Sequence, residues 1–349
     1  MLREPVKPPG SLTRRDVLRA AAAAGTAAFV ARAAAFAPVP PPPDSAPTSR
    51  PAAAPAERPW WLSAQPRRSR VAEITSDEVF EQQMVNPAVL RRMLDAGLAA
   101  AVGLPTAAAA WRQVLGPAQR ILLKFNHVGG SVIGTNDALA QAMVASLADA
   151  GYAAERLVLA EVPSPTTSAA GARRPVPGWG GGLPLGEATE EMAAAFLEAD
   201  AAISVGQLKT HGLAGMSGVM KNLAYGIIRR PGRYHAYGCS PFVGQIIGHT
   251  EVSRRLRLCV LSALRVLVRG GPEAFEDDLY PSRTLLFGID PVAVDVVGLD
   301  HLLFARRKVG ETDPVRVPHL AAAAAAGIGR GDPLDIERVA VADPGQVAG

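Results

Sequence analysis

The chain holds only two cysteines, five lysines and 5% aromatic residues in 349 positions. Cys239 and Cys259 are too few for a disulfide scaffold, a four-thiolate zinc site or an iron–sulfur cluster built from this chain alone. No run of about 18 or more strongly apolar residues occurs, which excludes a multi-span helical membrane protein. Gly-x-Ser-x-Gly is missing, so an α/β-hydrolase reading has no nucleophile. No two of the six histidines have the spacing of a zinc-protease helix or a zinc finger. A basic excess is missing as well, outside one segment. Residues 1–37 carry six cations against two anions, an excess of four that equals the +4 of the whole chain. The remainder is formally neutral, so no nucleic-acid partner is expected.

That basic segment reads as an address. Thr13-Arg14-Arg15-Asp16-Val17-Leu18-Arg19 precedes a weakly apolar, alanine-rich run over 20–31, and small residues follow at 33–37. A charged start, a short apolar centre and a small-residue exit make an export signal. The paired arginines resemble a twin-arginine (Tat) signal, which implies the Tat machinery as a partner and a periplasmic or extracytoplasmic location. The run is short for a bilayer, so no stable membrane span is expected once the signal is cleaved. An uncleaved signal would tether the protein. Residues 38–59 hold nine prolines in 22 positions. Proline lacks an amide donor and fixes φ, so this stretch reads as a disordered linker.

From residue 60 short β-rich runs alternate with helical ones. Strands are expected over 70–75, 120–126, 156–162, 201–205, 257–261, 284–289 and 337–341. Helices are expected over 77–84, 87–101, 106–115, 136–150, 187–199, 291–304 and 317–326. Such alternation argues for an α/β fold with a mainly parallel sheet and flanking helices. Residues 60–118 are expected as an N-terminal helical segment packed on a main α/β domain at 119–349. The Pro/Gly/Ser/Thr-rich stretch 163–186 is long for a connection, and reads either as a lid or as an ordered excursion.

Scarcity makes the lysines informative, because Arg supplies 31 of the 36 basic residues. Lys124, Lys209 and Lys221 each fall at a strand end or in a Gly-rich loop. Lysine offers a compact charge, three donors and an amine that burial can neutralise. The stretch 206–222 follows a strand, where open α/β sheets bind ligands. It places Lys209, His211 and Lys221 as candidate catalytic residues. Thr210, Ser217, Gly218 and Asn222 add hydroxyls, a close backbone approach and an amide for binding, with a helix N-terminus expected near Ser217. Lys124 and Asn126 would face them from the 120–126 strand. Asp290 and Asp295 are candidate ligand-binding or orienting carboxylates, and a capping role is open for Asp290. A metal held by His211, Asp290 or Glu161 is left open, and the cofactor is unknown. His235, His249, His301 and His319 read as surface or core residues.

Gln207-Leu-Lys-Thr-His211 and Ser217-Gly-Val-Met-Lys-Asn-Leu-Ala-Tyr-Gly226 resemble the central signature of the family known as domain of unknown function 362. Leu123-Lys-Phe-Asn126 is similar to its early element and Asp290-Pro-Val-Ala-Val-Asp295 to its late one, in the family's order. The resemblance covers roughly residues 119–342. Some members carry a ferredoxin-like segment with clustered cysteines, which this chain lacks. Ser262 stands where such proteins commonly have an Asp, so a metal role of that position does not transfer. The family's biochemical role is largely unassigned. Residues and resemblance together point to an exported enzyme acting on a small anionic substrate, phosphate- or carboxylate-bearing. A non-catalytic binding protein or redox accessory of the cell envelope is the alternative.

Overall fold

The computed structural model describes residues 58–345. The export signal and most of the proline-rich linker lie outside the described residues. Thirteen strands are present among them. These are β1 (Ser69–Thr75), β2 (Phe80–Glu81), β3 (Met84–Val85), β4 (Ile121–Lys124), β5 (Leu157–Ala160), β6 (Trp179–Leu185), β7 (Ala188–Ala193), β8 (Ala201–His211), β9 (Gly215–Ser217), β10 (Leu256–Leu267), β11 (Leu279–Tyr280), β12 (Thr284–Gly288) and β13 (Ile336–Val341). The helices of eight or more residues are α1 (Pro87–Val102), α2 (Ala107–Leu115), α3 (Asn136–Asp149), α4 (Val219–Gly226), α5 (Pro291–Lys308) and α6 (Pro318–Ala325).

The main sheet runs β13-β1-β12-β10-β8-β4-β5, with β9 paired to β8 and β11 to β10. Along that order every neighbouring pair is parallel except the two made by β12. The expected α/β fold with a mainly parallel sheet and flanking helices is therefore the one observed. The reversal of β12 has a local cause. Between Leu267 and Thr284 the chain forms only a short 3₁₀ turn and β11, with no crossover helix to carry it back. A strand that returns without a crossover runs antiparallel. The carboxyl ends of β4, β5, β8 and β10 therefore share one edge of the sheet, and that of β12 lies at the opposite edge.

Both faces are covered. Gly97 of α1 is so close to Phe287 and Ile74 that a Cβ there would sit 2.3 Å from the phenyl ring. Gly298 of α5 meets Leu261 and Leu208 in the same way, 2.5 Å from Leu261. Phe287 and the residues that face α5 alternate along their strands, so the two helices lie on opposite sides. Strands covered on both faces read as continuous apolar runs, which is why β4, β8 and β12 are buried at every position. The helix ends are written locally. Asn86 caps α1 ahead of Pro87, Gly103 ends it in the left-handed region at φ 75°, and Thr106 caps α2. No single helix among the described residues is long and apolar enough to cross a membrane.

The structure departs from the sequence reading in two segments. Residues 77–84, expected as a helix, form a 3₁₀ turn and the β2–β3 hairpin. Gln82 and Gln83 both take positive φ, the geometry that closes a two-residue hairpin. Residues 187–199, also expected as a helix, form β7 and a single helical turn over Ala194–Leu197. Their helix-forming composition is overridden by pairing with β6 and by Glu190. That side chain is fully buried, where it accepts from Arg230 at 2.9 Å and from the Tyr234 hydroxyl at 3.2 Å. Within 163–186, Ser164–Ala169 is helical and Trp179–Leu185 is the other strand of that hairpin. Residues 60–118 supply α1 and α2 and also β1, which is interior to the main sheet.

Candidate functional site

The expected strand at 201–205 continues to His211 and turns back through β9. Lys209 and His211 are thus strand residues rather than loop residues. Strand alternation sends both to the same side, and Thr210 between them turns away to donate to the Leu267 carbonyl at 3.3 Å. Beside them, β4 ends at Lys124 and leads into Asn126. The α4 helix opposite carries Lys221, Asn222 and Tyr225 on one face, at i, i+1 and i+4. These side chains surround a cavity of about 270 Å³ at the carboxyl edge of the sheet. Glu161, Ser217 and His235 also line it.

The three lysines differ in how fully the protein satisfies them. Lys124 has three acceptors for its three donors: Glu161 Oε1 at 2.8 Å, the Phe125 carbonyl at 2.6 Å and Asn222 Oδ1 at 3.0 Å. Lys209 has two, Asn126 Oδ1 at 3.1 Å and the Val128 carbonyl. Lys221 has no hydrogen-bond or carboxylate partner among the described residues, and its ammonium lies 5.0 Å from the centre of the Tyr225 ring. All three are at least nine-tenths buried. Loss of hydration pushes the ammonium groups of Lys124 and Lys221 below the usual lysine range. Lys209 is brought to about 8 by burial first, then by the charges of Lys221 and Lys124. Burial pushes the Glu161 carboxyl up, but the charge and hydrogen bonds of Lys124 and the bonds from His127 outweigh it and hold it low. One carboxylate thus faces three buried amines.

Neighbours fix these groups in place. Asn222 Nδ2 donates to the Lys124 carbonyl at 2.9 Å and to Ser204 Oγ at 3.1 Å. Asn126 is held through Asn136, which donates to its carbonyl at 2.8 Å and is itself bound by Gln207 at 3.1 Å. Glu161 takes φ 62°, an uncommon conformation for a residue other than glycine. Its carboxylate reaches both Lys124 and, at 2.7 Å, His127 Nδ1. Gly226 leaves room for Lys124, because a Cβ there would lie 1.9 Å from Lys124 Cε.

Two imidazoles stack in the site. The rings of His211 and His235 lie 5.8 Å apart with planes 21° from parallel, and Tyr225 meets His235 edge-on at 5.0 Å. His211 Nδ1 accepts from the amides of Leu213 and Ala214, both at 3.2 Å. That nitrogen therefore carries a lone pair, and in the neutral ring the proton sits on Nε2. Burial, then the charges of Lys221, His235 and Lys209, hold His211 down to about 3, so it is neutral at physiological pH. His235 has the opposite tautomer, since its Nδ1 faces the Pro231 carbonyl at 3.1 Å and must donate. Its Nε2 keeps a lone pair. One ring offers a donor and the other an acceptor.

The structure brings together Lys124, Asn126, Lys209, His211, Ser217, Lys221 and Asn222. It leaves Thr210, Gly218, Asp290 and Asp295 outside the cavity lining. Asp290 follows β12, so the reversal of that strand carries it to the far edge of the sheet. There it caps α5 through the amides of Val292 and Ala293, and accepts from Ser69 Oγ at 2.6 Å and the Arg330 amide at 2.9 Å. Asp295 reaches from α5 to the amides of Val219 at 2.7 Å and Met220 at 3.0 Å, capping α4. Gly218 admits it, because a Cβ there would lie 2.1 Å from Asp295 Oδ1. Burial raises the Asp295 carboxyl to about 7 against the lowering pull of those two amides. Ser262 is buried opposite Gln207 in the β8–β10 pairing and does not line the cavity.

His235, expected as a surface or core residue, lines the cavity instead, and Tyr225, which also lines it, is not among the expected site residues. Tyr225 was within reach of the sequence reading, four residues after Lys221 on a helix. No local pattern marks His235. Among the described residues no three His, Cys, Asp or Glu side chains are grouped as a metal site, and Cys239 and Cys259 are buried free thiols.

Residues 173–300 match the family model described as Domain of unknown function (DUF362). The match takes in β8, α4 and both capping aspartates, and stops short of β4 with Lys124 and Asn126. No curated protein matches the chain.

Proposed function

We propose that the protein is an enzyme acting on a small anionic substrate, phosphate- or carboxylate-bearing, held in the cavity at the carboxyl edge of β4 and β8. The observation that carries this reading is Lys221, a buried residue whose ammonium has no anionic partner among the described residues and opens onto the cavity. A buried charge is normally paired, and an unpaired one is costly. A substrate anion would complete it, as Glu161 completes Lys124. Lys209, with Asn126 and Ser217 beside it, is the other amine at the cavity that lacks a carboxylate partner.

Enzymatic use, rather than binding alone, is supported by the two imidazoles. A neutral His211 would donate through Nε2 to an oxygen on which negative charge develops. His235 would accept a proton at Nε2. His211 is thereby assigned as a donor rather than as the base, because its other nitrogen is already engaged by the backbone. Lys209, near 8, is the group best placed to exchange a proton at neutral pH.

A thermal-shift series with phosphate, sulfate, acetate and pyruvate tests the site. At least one anion should raise the melting temperature of the wild type and leave that of Lys221→Met unchanged. Equal shifts in both proteins, or none in either, would remove the assignment. For location, the Arg14-Arg15 pair supports export by the Tat route to an extracytoplasmic compartment. Replacing both arginines with lysine should leave the protein in the cytoplasmic fraction, and unchanged fractionation would reject that proposal.

A further inference from the structure

Lys124 and Lys209 leave adjacent strands of one sheet and end at one cavity, yet they are prepared differently. Lys124 has three acceptors, one of them a carboxylate, which suits an ammonium with three N–H donors. Lys209 has two acceptors, both neutral: an amide oxygen and a backbone carbonyl. A neutral amine has two N–H donors and one lone pair. Two neutral acceptors satisfy those donors and leave the lone pair for the cavity, which Lys209 lines. The charges of Lys221 and Lys124 favour the uncharged amine, and that of Glu161, tied to Lys124 and His127, opposes them. Beside this nitrogen lie an unpaired cation, Lys221, and an imidazole with a free N–H, His211.

We propose that Lys209 is an imine-forming amine and that the substrate is a small oxo acid, a carboxylate with a ketone or aldehyde carbonyl. The inference rests on the anion-site reading above and narrows its substrate class. The carboxylate pairs with Lys221. The carbonyl oxygen accepts from His211 Nε2, and the carbonyl carbon faces the Lys209 lone pair. The nitrogen adds to that carbon, forming a C–N bond as the carbonyl π pair moves to oxygen. A proton passes from nitrogen to that oxygen and gives the carbinolamine. Loss of the hydroxyl with the second nitrogen proton, as water, leaves the C=N bond. No oxidant or reductant enters this step. Protonation of the imine makes it an electron sink for cleavage or proton removal at the neighbouring carbon. His235 Nε2 is the free lone pair in position to take such a proton.

The experiment is reductive trapping with pyruvate as the probe. Purified protein is incubated with pyruvate and cyanoborohydride, and adducts are mapped by mass spectrometry after proteolysis. Only five lysines and the N-terminus can react, so the map is unambiguous. The expected result is one adduct, on Lys209, with the mass of pyruvic acid less one oxygen atom. Lys209→Arg should lose it. At subsaturating pyruvate, Lys221→Met should lower its yield about tenfold or more. Pyruvate binding by calorimetry without an adduct would overturn the imine and leave the anion site standing. Neither binding nor an adduct would overturn the oxo-acid inference, and the anion site would then stand or fall with phosphate, sulfate and acetate. An adduct on Lys124, Lys221 or Lys308 alone would overturn the assignment to Lys209.

Discussion

The two edges of the main sheet treat buried charge in opposite ways. At the carboxyl edge of β4 and β8, the acceptors offered by the protein fall from three at Lys124 to two at Lys209 and none at Lys221. At the far edge, Asp290 accepts from two amides of its own helix, a serine hydroxyl and the Arg330 amide. Both sets of side chains are buried, so burial does not separate them. Completeness of pairing does. A charge that the chain satisfies fully holds the fold together, and a charge that it leaves open is kept for something else. Asp295 stands between the two, with one amide on each oxygen, and it holds the helix that carries Lys221.

The sharpest way to break this contrast is to delete one charge of each kind. Asp290→Ala orphans four donors and should cost about 3–4 kcal/mol of stability in urea denaturation. A loss under about 1 kcal/mol would mean that the aspartate is not the anchor described. Asp295→Ala removes two amide bonds at the start of α4 and should cost about 2 kcal/mol. It should also weaken anion binding, because Lys221, Asn222 and Tyr225 ride on that helix. Unchanged affinity would detach Asp295 from the site.

Lys221→Met should do the reverse. Methionine fills much of the same space and needs no partner, so stability should rise by about 1 kcal/mol while anion binding is lost. A destabilised Lys221→Met would mean that the ammonium is satisfied within the fold after all. The smallest effect is the pH dependence of His211. Its folded value, about 3, lies below the ordinary 6.5. The unfolded chain therefore binds the proton first as pH falls. The stability held by the neutral ring is complete above about pH 6.5 and is lost progressively toward pH 3. His319, held down to about 4 by burial, adds to the same limb. His211→Asn keeps an acceptor for the Leu213 and Ala214 amides and removes the titration. Chemical denaturation from pH 7 to pH 4 should show a shallower loss of stability in this variant.

Much of this was legible in the chain, for physical reasons. Three of five lysines stood apart in an arginine-rich protein, and all three meet at one cavity. Pro87 and Pro291 marked helix starts because proline's backbone preference is local. The reversal of β12 was not legible. It depends on the lack of a crossover after β10, and it moved Asp290 from an expected site to the far edge. The length of β8 was hidden because Gln207, Lys209 and His211 are polar, and a strand is recognised by apolar continuity. The hairpin at 179–193 was hidden by helix-forming residues whose decisive contact, Glu190 with Arg230, is remote in sequence. His235 is in the site for the same kind of reason, since stacking on His211 is a tertiary event.

The central claim is that Lys221 is left unpaired for a ligand anion. Isothermal titration of the purified wild type and Lys221→Met with phosphate, acetate and pyruvate tests it directly, with circular dichroism confirming that both are folded. The account predicts one site on the wild type for at least one of these anions, weakened about tenfold or more in Lys221→Met. Equal affinity in the two folded proteins, or no binding to the wild type at millimolar anion, would contradict it.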